Sequence, residues 1–461
     1  DGIISSEEFG YDDAGRLQWK KGGPESAYTL YKYDDHNRLE KVYYDYTGSL
    51  TTISYPSTAS VSYAYDGASS LKTSMIDSSG ISEYTYDDQG RLETYKPPVG
   101  LTGTQHLLYD YNNAGQKTRI RITDGNTTPY DVTYEYHANG WLKDVRFGGG
   151  VVALYWYDAV GNKTLQGYGN ETSTDFTYDT SDPRYFLNSI DHHYYENSAG
   201  RTMTIGYPSR DSAGNPLSMT DSIGTWTYGY DANNRLVTAV PPNPVPEQPA
   251  GGPYEYDWVG NRVRPPRDPN PPSVTNQMVY NAADQLEEWP GMHKYTYYGD
   301  GSLNEEMNAA GTGWLKRYTY TADGLLHTAE FDHTGPTTWK TLTNAWDTDQ
   351  NLVGHSVNSA THVLVCDTTA VVPSVIQEND VYYIREPDGS LLARADDVVG
   401  IRYYHFDELG STRLLTEANG NVSDRYVYDA HGVLLSHDAT PGSSVNQPYL
   451  YVGQLGYYSY L

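Results

Sequence analysis

Tyr84-Thr85-Tyr86-Asp87-Asp88-Gln89-Gly90-Arg91-Leu92 decides the fold of this chain. Tyr84 and Tyr86 alternate, so on an extended backbone both rings project from one face. Asp87 opens a turn, where its carboxylate accepts hydrogen bonds from the amides ahead of it. Gly90, three residues on, takes a positive φ without steric cost. Asp-x-x-Gly therefore reads as a four-residue hairpin connection on a type I turn, and Arg91-Leu92 begins the returning strand. The face that Leu92 joins depends on whether Gly90 is bulged, which the sequence leaves open.

The same pattern recurs along the whole chain. Tyr11-Asp12-Asp13-Ala14-Gly15-Arg16-Leu17 and Tyr31-Lys32-Tyr33-Asp34-Asp35-His36-Asn37-Arg38-Leu39 are close copies. So are Tyr155-Trp156-Tyr157-Asp158-Ala159-Val160-Gly161-Asn162 and Tyr228-Gly229-Tyr230-Asp231-Ala232-Asn233-Asn234-Arg235-Leu236. Tyr254-Glu255-Tyr256-Asp257-Trp258-Val259-Gly260-Asn261-Arg262 and Tyr426-Val427-Tyr428-Asp429-Ala430-His431-Gly432 continue it. Weaker copies centre on Tyr65, Tyr111, Tyr136, Tyr178, Tyr280, Tyr297, Tyr320, Trp346 and Phe406. Most neighbours lie about 21–26 residues apart, a period that marks repeat architectures. One hairpin cannot bury its own tyrosines, but many in sequence can pair edge to edge. The expected fold is all-β, with hairpins joined into one continuous strand spiral. So long a twisted sheet cannot stay flat, and it should curl around a space as a curved hollow shell.

Composition agrees with the repeat. Tyrosine accounts for 47 of 461 residues against 6 phenylalanines, so the apolar faces carry hydroxyls that need partners or water. Lys and Arg total 31 against 59 Asp and Glu, a net charge of −28 that repels nucleic acid and anionic lipid. No apolar run approaches the roughly 18 residues that a membrane helix needs. Cys366 is the only cysteine, which excludes an internal disulfide and a cysteine zinc site. Residues 1–353 read as repeats, interrupted by Pro-rich insertions at about 241–253 and 265–273 that belong outside any ladder. Residues 354–461 form a more aliphatic C-terminal section.

These residues resemble the YD repeats of the rearrangement-hotspot (RHS) protein family. Tyr403-Tyr404-His405-Phe406-Asp407-Glu408-Leu409-Gly410-Ser411-Thr412-Arg413-Leu414-Leu415-Thr416 resembles the start of the RHS-associated core. Asn419-Gly420-Asn421-Val422, Arg425-Tyr426-Val427-Tyr428-Asp429-Ala430-His431-Gly432 and Tyr449-Leu450-Tyr451-Val452-Gly453-Gln454 follow it in order. The resemblance implies a hollow β-cocoon of a secreted bacterial polymorphic toxin, distantly similar to the barrels of teneurins and of Tc-toxin C components. Its implied partners are its own C-terminal toxin segment or another shell component, and a secretion apparatus. In bacterial members an Asp-Pro-x-Gly motif accompanies self-cleavage. Asp182-Pro183 and Asp268-Pro269 lack that glycine, so no catalytic residue is assigned. The natural chain is expected to extend beyond both Asp1 and Leu461, since a cut sheet exposes an unpaired edge.

Other candidate chemistry is weak. Asp347-Thr348-Asp349-Gln350-Asn351 spaces oxygens like half of a calcium loop, but Leu352 stands where glycine is needed. His192 and His193 are adjacent, and strand geometry points them to opposite faces. Cys366 reads as a buried apolar residue, and the sequons at Asn126 and Asn170 carry little weight. No cofactor-binding or metal-ligating residue is assigned, and no cofactor is expected. Three roles remain open: a non-enzymatic container enclosing an effector, an adhesion module recognising glycans or cell-surface proteins, and a β-propeller. The propeller would need about ten blades where 4–8 are usual.

Overall fold

The computed structural model describes residues 8–21, 27–98, 105–242, 254–263, 277–332, 339–370 and 372–459. Both Pro-rich insertions fall largely outside them. The hairpin built on the opening motif shows why these sequences form strands. β7 (Gly80–Tyr86) and β8 (Leu92–Lys96) are joined by the turn, with Gly90 N–H donating to the Asp87 carbonyl at 2.9 Å. Gly90 takes a φ of +77°, and Asp87 Oδ1 accepts from the amides of Gln89 and Arg91, each at 2.9 Å. Tyr86 pairs with Leu92, then Thr85 with Thr94 and Tyr84 with Tyr95. Glu93 is the extra residue, so the bulge lies beyond Gly90, in the returning strand. It puts Leu92 and Tyr95 on the tyrosine face, which settles the question that the sequence left open. The same register shift recurs at Tyr11/Leu17, Tyr33/Leu39, Tyr136/Leu142, Tyr230/Leu236 and Tyr320/Leu326.

A second device joins many of the hairpins to the one before. The Tyr111 hydroxyl donates to the Leu92 carbonyl of the preceding hairpin at 3.0 Å. Tyr33 does the same to Leu17, Tyr65 to Leu39, Tyr136 to Lys117, Tyr256 to Leu236 and Tyr320 to Leu303, at 2.7–3.0 Å. Where Trp346 replaces the tyrosine, its indole N–H reaches the Leu326 carbonyl at 2.8 Å. The motif arginine completes the join. Arg91 is hydrogen-bonded to Asp87, reaches the Asn112 carbonyl and lies 4.7 Å from the centre of the Tyr111 ring. Arg16 over Tyr33, Arg38 over Tyr65 and Arg235 over Tyr256 repeat this stacking.

The strands add in chain order, each antiparallel to its neighbours. Twenty make a first sheet from β1 (Glu8–Tyr11) to β20 (Leu236–Val240), and sixteen a second from β21 (Val279–Tyr280) to β36 (Leu434–Ala439). The expected single sheet is thus two, narrowed to one hairpin between them. Tyr254 N–H donates to the Val237 carbonyl, Tyr256 bridges to Arg262, and Met278 N–H donates to the Val263 carbonyl, so the ribbon continues. Among the described residues no α-helix occurs; the one helical segment is the 3₁₀ turn Gly453–Leu455.

The two sheets then run side by side in the same direction. Tyr44 of the first meets Asp323 of the second, Lys117 meets Asp367, Glu196 meets Arg425 and Asp221 meets Arg413. A continuous ribbon that returns beside its start heading the same way has travelled round a circuit. The separation in sequence shrinks overall, from 279 residues at Tyr44 to 192 at Asp221, so the circuit tapers. At about 4.8 Å per strand the wider turn has a perimeter on the order of 100 Å. Among the described residues β1 pairs only with β2 (Leu17–Lys21) and β36 only with β35 (Val422–Tyr428), so the spiral stays open.

Burial follows the pleat. Ile120, Ile122, Tyr130 and Tyr134 are buried on one face, whereas the other carries cross-strand pairs such as Arg121–Asp110 and Arg119–Asp131. Exposed pairs of this kind contribute about 1 kcal/mol or less. The strands between residues 374 and 428 are buried on both faces over much of their length. On β33 (Gly400–Phe406), Tyr403 and His405 face the first sheet, while Tyr404 and Phe406 pack with Tyr449 of the segment that crosses behind. Residues 279–332 differ: Ala329 is their one buried hydrophobic side chain.

Tyr111→Phe should remove one inter-hairpin bond and lower stability by about 1 kcal/mol, read from urea midpoints; an unchanged midpoint would show the bond to be dispensable. Acid gives a second test. Burial opposes ionisation of Asp34, but the Arg38 amide and guanidinium outweigh it and hold the carboxyl at about 2. Because this folded pKa is depressed, the contribution is present above the usual carboxylate value and lost as pH falls towards 2. Denaturant midpoints should therefore drop between about pH 4 and 2, and Asp34→Asn should flatten part of that drop.

Candidate functional site

Where the turns of the spiral abut, hairpin tips of one meet strands of the other. Tyr130 donates to the Tyr383 carbonyl and Tyr134 to that of Arg385, each at 3.1 Å. Tyr155 donates to Glu386 at 2.9 Å, and Lys117 pairs with Asp367 at 2.6 Å with both side chains over 90% buried. Asn170 donates to Thr416 Oγ1 at 3.0 Å and to the Glu417 carbonyl at 2.7 Å. One backbone bond crosses as well, from Tyr195 N–H to the Gly420 carbonyl. Deepest is Arg413, which reaches Asp221 at 2.6 Å and Asp407 at 3.4 Å. Burial pushes the Asp407 carboxyl upward while Arg413 pulls it down, and burial prevails. Nearby, His192 bonds Thr174 at 2.9 Å and His405 bonds Thr416 at 3.0 Å, and burial holds His405 at about 3, so it is neutral.

A cavity of about 860 Å³ opens between the second sheet and the C-terminal segment. Lys316, Tyr318 and Phe331 line it on the sparsely covered part of the second sheet, and Arg394, Asn446 and Tyr458 on the other side. In its wall lie His355 on β28 (Leu352–Val357), His362 on β29 (Ala360–Asp367) and Glu378 on β30 (Ser374–Glu378). Asn358 and Ser359 both have positive φ, +48° and +73°, which makes the two-residue turn that sets His355 directly opposite His362. The two rings stack at 4.5 Å, and His362 Nδ1 is 2.8 Å from Glu378 Oε1. His355 Nε2 is 4.0 Å from the same oxygen. The Tyr458 hydroxyl donates to Glu378 Oε1 at 2.8 Å and that of Tyr383 to Oε2 at 3.1 Å. Burial, aided by His362, brings His355 down to about 4, a neutral imidazole at physiological pH.

The residues weighed from sequence lie elsewhere. Asp347 is a buried turn carboxylate accepting from Asn351, and Asp349 pairs with Lys72 of the adjoining turn. His192 is buried, whereas His193 lies on the other face beside Asp175 and Thr202. Cys366 is buried, its thiol pushed up to about 12, and it donates to the Leu352 carbonyl. The sequon at Asn170 is a seam residue, while Asn126 sits on an exposed loop. Asp182 caps a turn with Arg184, and Asp268 lies outside the described residues. His355, His362 and Glu378 escaped notice because their spacing matches no metal signature; the equal distance of the histidines from Asn358-Ser359 was the available signal.

A tapering two-turn ribbon of hairpins defines a repeat-built β-shell. The RHS Repeat family model matches residues 210–243, the hairpins that end at β20. A structure of the Photorhabdus luminescens Tc holotoxin pore with a mutant TccC3 aligns over 98% of this chain at 12% identity and a TM-score of 0.64. A TcdB2-TccC3-TEV structure aligns over 98% at 13% identity and a TM-score of 0.67, and a TcdB2-TccC3 structure over 98% at 14% and 0.63. This chain spans 24–26% of those chains. No curated protein matches the sequence. One stretch of the chain thus matches the RHS Repeat model, and the chain as a whole shares its fold with these Tc-toxin structures.

Removing Asp221 leaves buried Arg413 with only its longer contact to Asp407, and breaking such a buried pair costs about 3 kcal/mol. Asp221→Ala should therefore destabilise far more than Asp110→Ala on the exposed face. Equal urea midpoints for the two variants would refute the seam as a major source of stability.

Proposed function

We propose that this chain is part of the wall of an encapsulating shell of a secreted bacterial RHS toxin, enclosing and protecting a C-terminal effector. The observation that carries this reading is the circuit: a ribbon that winds round and returns beside itself bounds a space. The sheet of residues 279–332 supports it, because its hydrophobic side chains other than Ala329 keep accessible surface that an enclosed chain could cover. The role is isolation rather than catalysis. Residues 354–461, buried on both faces over much of their length, are assigned as the C-terminal repeats and the beginning of the core section. The effector or another shell component is the internal partner, and a secretion apparatus the external one. Coverage of about a quarter of the matched chains fits a wall segment of a longer protein.

The test is protease protection of the parent protein. The effector segment should resist a protease that digests the same segment expressed alone, and protection should vanish at the urea concentration where the shell unfolds. Digestion at equal rates in both forms would refute enclosure. Scattering from the chain itself should give a radius of gyration above the roughly 23 Å of a compact globule of this length.

A further inference from the structure

We propose that His355, His362 and Glu378 form a binding site for a divalent transition metal of the zinc class. The three residues come from three successive strands, and one ligand atom from each lies within 4.8 Å of the other two. In a tetrahedral zinc site, ligand atoms about 2.0–2.1 Å from the ion lie about 3.3 Å apart. His362 Nδ1 and Glu378 Oε1 are already 2.8 Å apart, and because the two rings stack within 11° of parallel, one imidazole turns out of the stack to bring its in-plane lone pair to a shared ion.

The donor set fits the metal. Two imidazoles and one carboxylate suit zinc and its first-row neighbours rather than calcium or magnesium, which favour all-oxygen shells. His355 is buried and sits directly across the ladder from His362. Glu378 is fixed by hydrogen bonds from Tyr383 and Tyr458, the kind of outer partner that orients a ligating carboxylate. The three side chains line a cavity large enough to supply water at a fourth position. An ion there would tie β28, β29 and β30 together, and through Glu378 it would couple them to Tyr458 in the segment that crosses behind the sheet. This inference concerns the wall itself and does not depend on any effector being enclosed.

The test uses the tag-free chain, stripped with chelator and titrated with Zn²⁺ by equilibrium dialysis, with Co²⁺ as an absorption probe. One equivalent should bind per chain, Co²⁺ should give the visible bands of a low-coordinate N/O site, and Zn²⁺ should raise the melting temperature. His362→Ala and Glu378→Gln should each weaken binding by about tenfold or more, whereas His193→Ala should not. His362 is half-exposed, so its variant serves if His355→Ala fails to fold; metal-free melting of each variant reports folding separately. Binding well below one equivalent, or undiminished in His362→Ala and Glu378→Gln, would overturn the proposal and leave a hydrogen-bonded His–Glu cluster.

Discussion

The tyrosine hydroxyl that reaches back to the carbonyl of the preceding hairpin is the contact on which the rest depends. Backbone ladders alone hold neighbouring strands, but they leave the twist between one hairpin and the next free to vary. A bond from Tyr111 to Leu92, repeated at Tyr33, Tyr65, Tyr136, Tyr256 and Tyr320, fixes that relation at those joins. The ring lies on the apolar face while its polar tip satisfies a carbonyl next to the bulge, where the ladder is disturbed. This explains why tyrosine rather than phenylalanine dominates. It also explains the motif arginine, whose guanidinium is held by the turn aspartate and laid over the next tyrosine.

Constant relations between neighbours produce curvature, and curvature brings remote parts of the chain together. Different chemistry takes over there. Along a turn of the spiral the contacts are repetitive and mostly exposed, and each contributes little. Across the seam they are individual and buried: Lys117 with Asp367, Arg413 with Asp221, Asn170 with Thr416. Such pairs repay their desolvation only in one geometry, so they specify which parts of the ribbon meet.

The local half of this structure was legible in the sequence. Alternating tyrosines, Asp-x-x-Gly turns and their period were enough to read hairpins joined into a curved shell. The turn at Asp87 and the left-handed Gly90 follow directly from residue chemistry. The bulge at Glu93 was not legible, because nothing in Arg91-Leu92-Glu93 distinguishes a shifted register from a regular one. Nor were the seam and the His355–His362–Glu378 cluster, which depend on how many strands make a turn and on where a short hairpin falls within it. A tyrosine-rich chain proved able to bury both faces of β33, using hydroxyls and rings where aliphatic residues would usually serve.

The shortening of successive turns has a consequence for assembly. If every circuit held the same number of strands, the upper tier could slip by one repeat and recover nearly all its neighbours, because the modules are so alike. With a diminishing circumference, a slipped arrangement misaligns by a different amount at each position. A monotonous ribbon thereby acquires one winding, as a conical thread seats at only one depth.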